Sequence, residues 1–243
     1  MPFSRFGWLG RLRFQSNQDD EPIVTVSPSS PIGVAPEESE PGLLLRSGEQ
    51  IELRRHVPSN LAAFQRWYGD IEIARMLRHD QRSLNDIQSR GYFQSIIMPA
   101  TARDMAYAIY ERETGRLIGA AALTDFTGMN PRTAYFRIVI GEKDRWGLGY
   151  GTEATRLVVL DGFERHAVDI VKLEVFKHNA RARNAYARIG FSVSGEHVEY
   201  VGRDRYVLEV IEMQIDRESY AKAVEFQQQS SVEQRTEQAS GWS

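Results

Sequence analysis

One stretch of this chain limits its fold more than any other: Ile138 to Phe163, IVIGEKDRWGLGYGTEATRLVVLDGF. A strand-like apolar run closes near Gly141. After a short charged turn come Gly147, Leu148, Gly149, Tyr150 and Gly151, and a helical pattern starts at once, with Ala154, Leu157, Val158 and Leu160 on its apolar side. Amides in the first turn of a helix have no intrahelical acceptors, and the helix dipole adds partial positive charge there. Glycines before that turn let a ligand approach the backbone closely. The junction therefore predicts an anion site, best suited to phosphate, made by main-chain N–H groups and with Thr152 and Glu153 in the first helical turn.

Two common phosphate loops do not fit. A P-loop needs a lysine before its Ser or Thr, and none lies between Gly147 and Thr152. A dinucleotide fingerprint places its third glycine one residue later than Gly151 and wants an acid after the next strand, where KLEVFKHN ends in Lys, His and Asn. The chain has no cysteine, which excludes disulfides, thiolate zinc sites and a cysteine nucleophile, and fits a reducing compartment. Its histidines, His56, His79, His166, His178 and His197, show no metal-ligand spacing, so no metal is expected. A net charge of −3 without a basic stripe argues against nucleic acid. No apolar run approaches the roughly 20 residues that span a bilayer.

Composition divides the chain. Residues 1–14, MPFSRFGWLGRLRF, mix aromatic and basic side chains; Gly7 and Gly10 weaken any helix, so a disordered or loosely ordered tail is expected, with docking on a membrane surface or a protein as the alternative. Residues 15–48 carry Pro22, Pro28, Pro31, Pro36 and Pro41 and read as a linker. Residues 1–48 thus form an extension, 49–222 the folded domain, and 223–243 a polar tail. Within the domain, QIELRRH reads as a strand, and a helix follows Pro58 through Phe64 and Trp67. Ser83–Asp86 has the form of a capping box for a helix that Pro99 stops. A hairpin turns at Gly115, and Gly190 ends the helix ARARNAYARI. The order β-α-α-β-β-β-α-β-α-β-β mixes hairpins with strand–helix–strand units and predicts an α/β mixed sheet with helices on both faces.

WGLGYG, Trp146–Gly151, resembles the pyrophosphate motif of the GNAT N-acetyltransferases, with Trp146 where Gln or Arg is usual. NARARNAYARIGF, Asn179–Phe191, is similar to that family's second motif. Trp67, Asp70, Glu72, Ile73 and Ala74 resemble a segment of its RimJ/RimL-like branch, so the likeness runs from about Ile51 to Tyr220. It implies a central twisted mixed sheet in which two parallel strands splay apart to hold acetyl-CoA, and acetyl transfer to a primary amine in a ternary complex. It assigns the pyrophosphate to the backbone of Leu148, Gly149, Tyr150, Gly151 and Thr152, with Trp146 and Gly147 beside it. The pantetheine arm goes to Ile138, Val139, Ile140 and Asn179, and Tyr186 is the candidate that protonates the leaving thiolate.

The resemblance leaves the base open. Many relatives carry Glu where Tyr135 stands, and Arg137 replaces a glycine. Asp125, Glu209, His56 and Tyr135 itself are the acid–base candidates, with water as an alternative carrier. The acceptor is a small-molecule amine or a protein N-terminus. A catalytically silent acyl-CoA-binding or interaction module is the alternative function. A cytoplasmic monomer or homodimer is expected.

Overall fold

The computed structural model describes residues 41–201, 206–226 and 229. Residues 1–14, most of the stretch read as linker, and the tail beyond residue 229 lie outside the described residues.

The described chain forms one mixed sheet of eight strands. In chain order these are β1 (Leu44–Ser47), β2 (Ile51–Arg54), β3 (Ala106–Glu111), β4 (Leu117–Thr127), β5 (Thr133–Ile140), β6 (Ile170–Phe176), β7 (Ser192–Val201) and β8 (Tyr206–Asp216). Their spatial order is β1-β2-β3-β4-β5-β6-β8-β7, so the mixed α/β sheet expected from the sequence is observed. Only β5 and β6 run parallel. A parallel pair needs a crossover, supplied here by the helix α5 described below.

The helices include α1 (Leu61–Gly69), α2 (Ile71–Leu77), α3 (Asp86–Tyr92), α4 (Met98–Thr101), α5 (Tyr150–Glu164) and α6 (Ala180–Ile189), and the chain is helical again after β8, over residues 217–226, into the stretch read as tail. Strand alternation sorts them onto two faces. Tyr107, Ile109 and Phe136 join a core with Val158 and Val159 of α5 and Ile189 of α6. The neighbouring Tyr110 points the other way, where its hydroxyl accepts from Asn60 Nδ2 at 2.8 Å, just before α1. On that second face Phe64 stacks on Tyr68, one helical turn on, with ring centroids 4.1 Å apart, and Tyr92 and Phe93 close around Phe64. Burying each such ring stabilises the fold by about 1.5–3 kcal/mol.

The structure corrects three local expectations. The stretch read as linker enters the sheet as β1, because Leu45 packs on the core and the strand pairs antiparallel with β2. The capping box lies two residues later than Ser83. Asn85 caps α3 by accepting from the Gln88 N–H at 2.9 Å, while the Leu84 N–H is already given to Tyr68 O. Pro99 does not stop the helical run. A wide turn over Phe93–Ile97, in which the Met98 N–H donates to Phe93 O, accommodates the proline ring, and α4 continues to Thr101.

One buried charge network fixes α5 against the sheet. The fully buried Asp161 carboxylate accepts from Arg46 Nε at 2.6 Å and Tyr107 Oη at 2.7 Å. Burial opposes its charge, but hydrogen bonds from His166, Tyr107 and Arg46 outweigh that and lower its pKa to about 2. Asp161→Asn is expected to cost about 3 kcal/mol at pH 7, because Arg46 loses its buried counter-charge. The folded pKa lies below the unfolded one, so this contribution is complete above about pH 4 and is lost as pH falls toward 2. Denaturant melts of both proteins should differ at pH 7 and converge at acid pH.

Candidate active site

The cleft follows from the register of β5 and β6. They pair from Thr133↔Ile170 to Tyr135↔Lys172 and no further. Beyond Tyr135, β5 stays with β4 out to Ile140, while β6 follows β8 out to Phe176. The two parallel strands therefore splay, and a cavity of about 280 Å³ opens between them.

The Gly-rich loop forms one end. Gly147 and Gly149 have φ of 81° and 93°, in the left-handed region, and a Cβ at Gly147 would meet nothing. Their need for glycine is thus conformational. Gly149 occupies the N-cap of α5, no side chain among the described residues caps that helix, and its dipole points at the cleft. Gly151 differs, because its φ is ordinary and a Cβ there would only touch Ile140 Cγ1 at 3.4 Å. The protein could hold an alanine at that position, so the open space above Gly151 belongs to the cleft. Gly141 anchors the loop from behind. An added Cβ would lie 2.1 Å from the Trp67 indole, so only glycine lets that ring close in. Glu142 then takes hydrogen bonds from Trp67 Nε1 at 2.8 Å and Arg66 Nη2 at 2.6 Å.

Most residues assigned to the donor substrate line this cleft. Ile138, Val139 and Ile140 supply the β5 wall, and Gly147, Gly149, Gly151 and Thr152 supply the loop end. Trp146 lines it too, held by Nε1 donating to Ile140 O at 2.7 Å, with the Arg181 guanidinium stacked 4.0 Å from its ring centroid. Asn179 lines it and caps α6 by accepting from the Ala182 N–H at 3.2 Å. Leu148 is largely exposed and Tyr150 donates its hydroxyl to Glu111, so neither side chain joins the lining. Tyr186 reaches the cleft from α6, 8% exposed and edge-on to Phe136. Burial pushes its pKa above the ordinary phenol value, which keeps it an O–H donor at neutral pH.

The acid–base candidates fare differently. Asp125, Glu209 and Tyr135 do not line the cleft. Asp125 lies 3.7 Å from Arg137, Glu209 pairs with Lys177 at 2.6 Å on the surface, and Tyr135 sits where β5 is still paired with β6. His56 is buried edge-on to Phe93, and burial lowers its pKa to about 4. The cleft contains two further titratable groups, Glu174 on β6, which the sequence reading missed, and His79 after α2. His79 Nε2 lies 3.4 Å from Glu174 Oε2, and its Nδ1 lies 2.7 Å from Glu199 Oε2. Side-chain exposure rises along that line from 12% at Glu174 through 25% at His79 to 32% at Glu199. The line therefore leads from cleft to solvent. Burial alone would lower the His79 pKa, but hydrogen bonds and charge from Glu174 and Glu199 outweigh it and raise it. Glu174 is pushed up by burial and pulled lower overall by His79. In the sequence Glu174 shows as one acid inside the apolar strand IVKLEVF, and His79 as part of the charge-rich turn RHDQR, Arg78–Arg82, which reads as a solvated turn or a lip of the acceptor entrance. The fold also gathers Glu174, His197 and Glu212 with ligand-type atoms within 4.8 Å, a grouping invisible in histidine spacing.

Comparisons with known proteins follow this geometry. The sequence model of the family described as "Acetyltransferase (GNAT) domain" matches residues 50–192. No curated protein matches the chain. Among solved structures, spermidine N-acetyltransferase from Vibrio cholerae, in complex with CoA and spermine, is 17% identical with a TM-score of 0.60, over 71% of this chain and 98% of that one. Ribosomal-protein-S5-alanine acetyltransferase from Vibrio fischeri is 13% identical with a TM-score of 0.59, over 72% of this chain and 97% of that one. Mycobacterium smegmatis RimJ with CoA-disulfide is 18% identical with a TM-score of 0.56, over 69% of this chain and 82% of that one. At these identities the likeness shows the fold.

Proposed function

The chain belongs to the GNAT acetyltransferase family, and from that membership we propose that it transfers the acetyl group of acetyl-CoA to a primary amine, both substrates being held at once. The observation that carries the reading is the splayed β5–β6 pair, with the uncapped helix start at one end of its cleft and Glu174, His79 and Tyr186 along its walls. The residues present fit the coenzyme. The space over Gly151 and the amides that open α5 suit a pyrophosphate, and Arg181 adds positive charge beside it. The open edge of β5 over Ile138–Ile140 suits the amide-bearing arm.

When bound, acetyl-CoA supplies a thioester whose carbonyl carbon accepts the amine nitrogen, giving an amide and a free thiol. The protein has two protons to manage. An amine titrating near 8–10 must give one up. Glu174 attracts the ammonium, and His79 carries the proton on to Glu199 and solvent. The departing sulfur must gain one, and Tyr186, held protonated by burial, donates it; the second proton, shed by the nitrogen as the amide forms, restores the phenol. The chain has no cysteine, in keeping with direct transfer. We place it in the RimJ/RimL-like branch on Trp67, Asp70 and Glu72, and in the cytoplasm, where acetyl-CoA is available. Among the described residues no helix is long and apolar enough to cross a membrane.

The test is release of CoA thiol from acetyl-CoA across a broad amine panel. Tyr186→Phe should lower kcat about 10²-fold with little change in the KM for acetyl-CoA. Tight acetyl-CoA binding with no thiol released by any amine would instead identify a silent binding module.

A further inference from the structure

We infer that the acceptor is an amine whose neighbouring carbon carries a carboxylate or carbonyl, gripped by Arg137, and that it is not a polyamine. The inference rests on the transferase reading above and names the substrate class for the same site.

Charge in the cleft is lopsided. Among the described residues lining it, Glu174 is the one carboxylate, against Arg137, Arg145, Arg181 and Arg188. Arg145 is paired with Glu111 at 3.0 Å and with Asp144 at 3.1 Å. Arg181 is stacked on Trp146 near the Gly-rich loop, and Arg188 also belongs to α6. Arg137 stands apart. It follows Phe136 on β5, so it projects to the opposite face of the sheet from the α5–α6 core. There it exerts its charge on Glu174 and on the buried hydroxyls of Tyr68 and Tyr92.

Arg137 has capacity to spare. Its Nε is buried with no hydrogen-bond partner among the described residues, and its Nη2 is 3.7 Å from Asp125, beyond hydrogen-bond distance. Arg78 acts on the same tyrosine pair. It is 7% exposed and donates through Nε to Asp80 at 2.9 Å, yet its Nη1 is buried and unpartnered. Buried polar groups are rarely left unpaired, so an idle donor on the guanidinium of Arg137, which lines the cleft, indicates an absent acceptor oxygen. A guanidinium fork matches a carboxylate or carbonyl. Glu174 then takes the ammonium and Arg137 the oxygen on the adjoining carbon. A polyamine offers no such oxygen and would bring cations against Arg137. Two sources share the α-amino-carbonyl chemistry: a free amino acid and the first residue of a peptide.

The experiment compares kcat/KM for the twenty standard amino acids, their C-terminal amides and the matching decarboxylated amines, with spermidine alongside. Calorimetric titration of the same compounds into CoA-loaded protein reads binding without turnover. The best amino acid or amide should exceed its decarboxylated partner by about 10²-fold or more, because that partner leaves Arg137 unpaired. Preference for the free acid identifies an amino-acid acceptor, and equal use of the amide identifies a peptide N-terminus. Arg137→Gln should collapse the ratio toward one, and Arg137→Lys should retain part of it. Spermidine or the decarboxylated amines reacting best, or a ratio untouched by Arg137→Gln, overturns the inference. Acids or amides that bind CoA-loaded protein but never react keep the site and defeat only the transferase reading. No binding by either defeats the site.

Discussion

Gly151→Asp is expected to weaken acetyl-CoA binding by about 10²-fold, close to 2.7 kcal/mol, and to leave the thermal midpoint within about 3 °C of wild type. The position separates binding from folding, which its neighbours cannot do. Gly147 and Gly149 have φ of 81° and 93°, so any side chain there strains the loop and loses stability together with affinity. Gly151 lies in the first turn of α5 with ordinary backbone angles, and its nearest neighbour to an added Cβ is Ile140 Cγ1 at 3.4 Å. A carboxylate there suits the positive end of the helix dipole and does not unfold the protein. It occupies the place and charge that a pyrophosphate would need. Calorimetry with acetyl-CoA, beside a melting curve, reads both halves. Unchanged affinity in a folded variant would move the phosphate site away from α5.

What the sequence revealed, and what it hid, follows from the range of the interactions. Gly115 in the β3–β4 turn and Gly190 after α6 act through their own backbone angles, with φ of 68° and 108°, and were legible as turn and cap. The Gly-rich junction was legible for the same reason. β1 was hidden because its stability comes from pairing with β2 and packing Leu45, under a proline-rich composition that points to linker. The pair proposed here as the proton path was hidden more deeply. Motif position drew attention to Tyr135, but that residue lies before the point where β5 and β6 part. Glu174 lies beyond it, on the strand that turns away, and acquires meaning only when His79, from the other end of the domain, arrives beside it. Phe176 sets the imidazole edge-on at 5.2 Å and so helps to hold it there.

The largest catalytic effect is expected at Glu174. Glu174→Gln keeps the shape of the cleft but removes the one carboxylate that lines it among the described residues, and should lower kcat/KM for the amine by about 10²–10³-fold while acetyl-CoA affinity stays near wild type. The lowering of the Glu174 pKa by His79 suits it to anchor an ammonium more than to keep a proton, so the proposed relay passes the proton to His79. A neutral imidazole is required to take the proton, so activity should rise with pH through the His79 titration. That titration is shifted upward by Glu174 and Glu199, against the opposing effect of burial. Glu199→Gln removes one source of the upward shift, without touching the cleft lining, and should therefore move the acid limb of the kcat–pH profile to lower pH. His79→Gln should abolish that limb and leave only the titration of the amine. An acid limb that stays in place in Glu199→Gln would show that the proton leaves by another path, and Glu174 would then act on the bound ammonium alone.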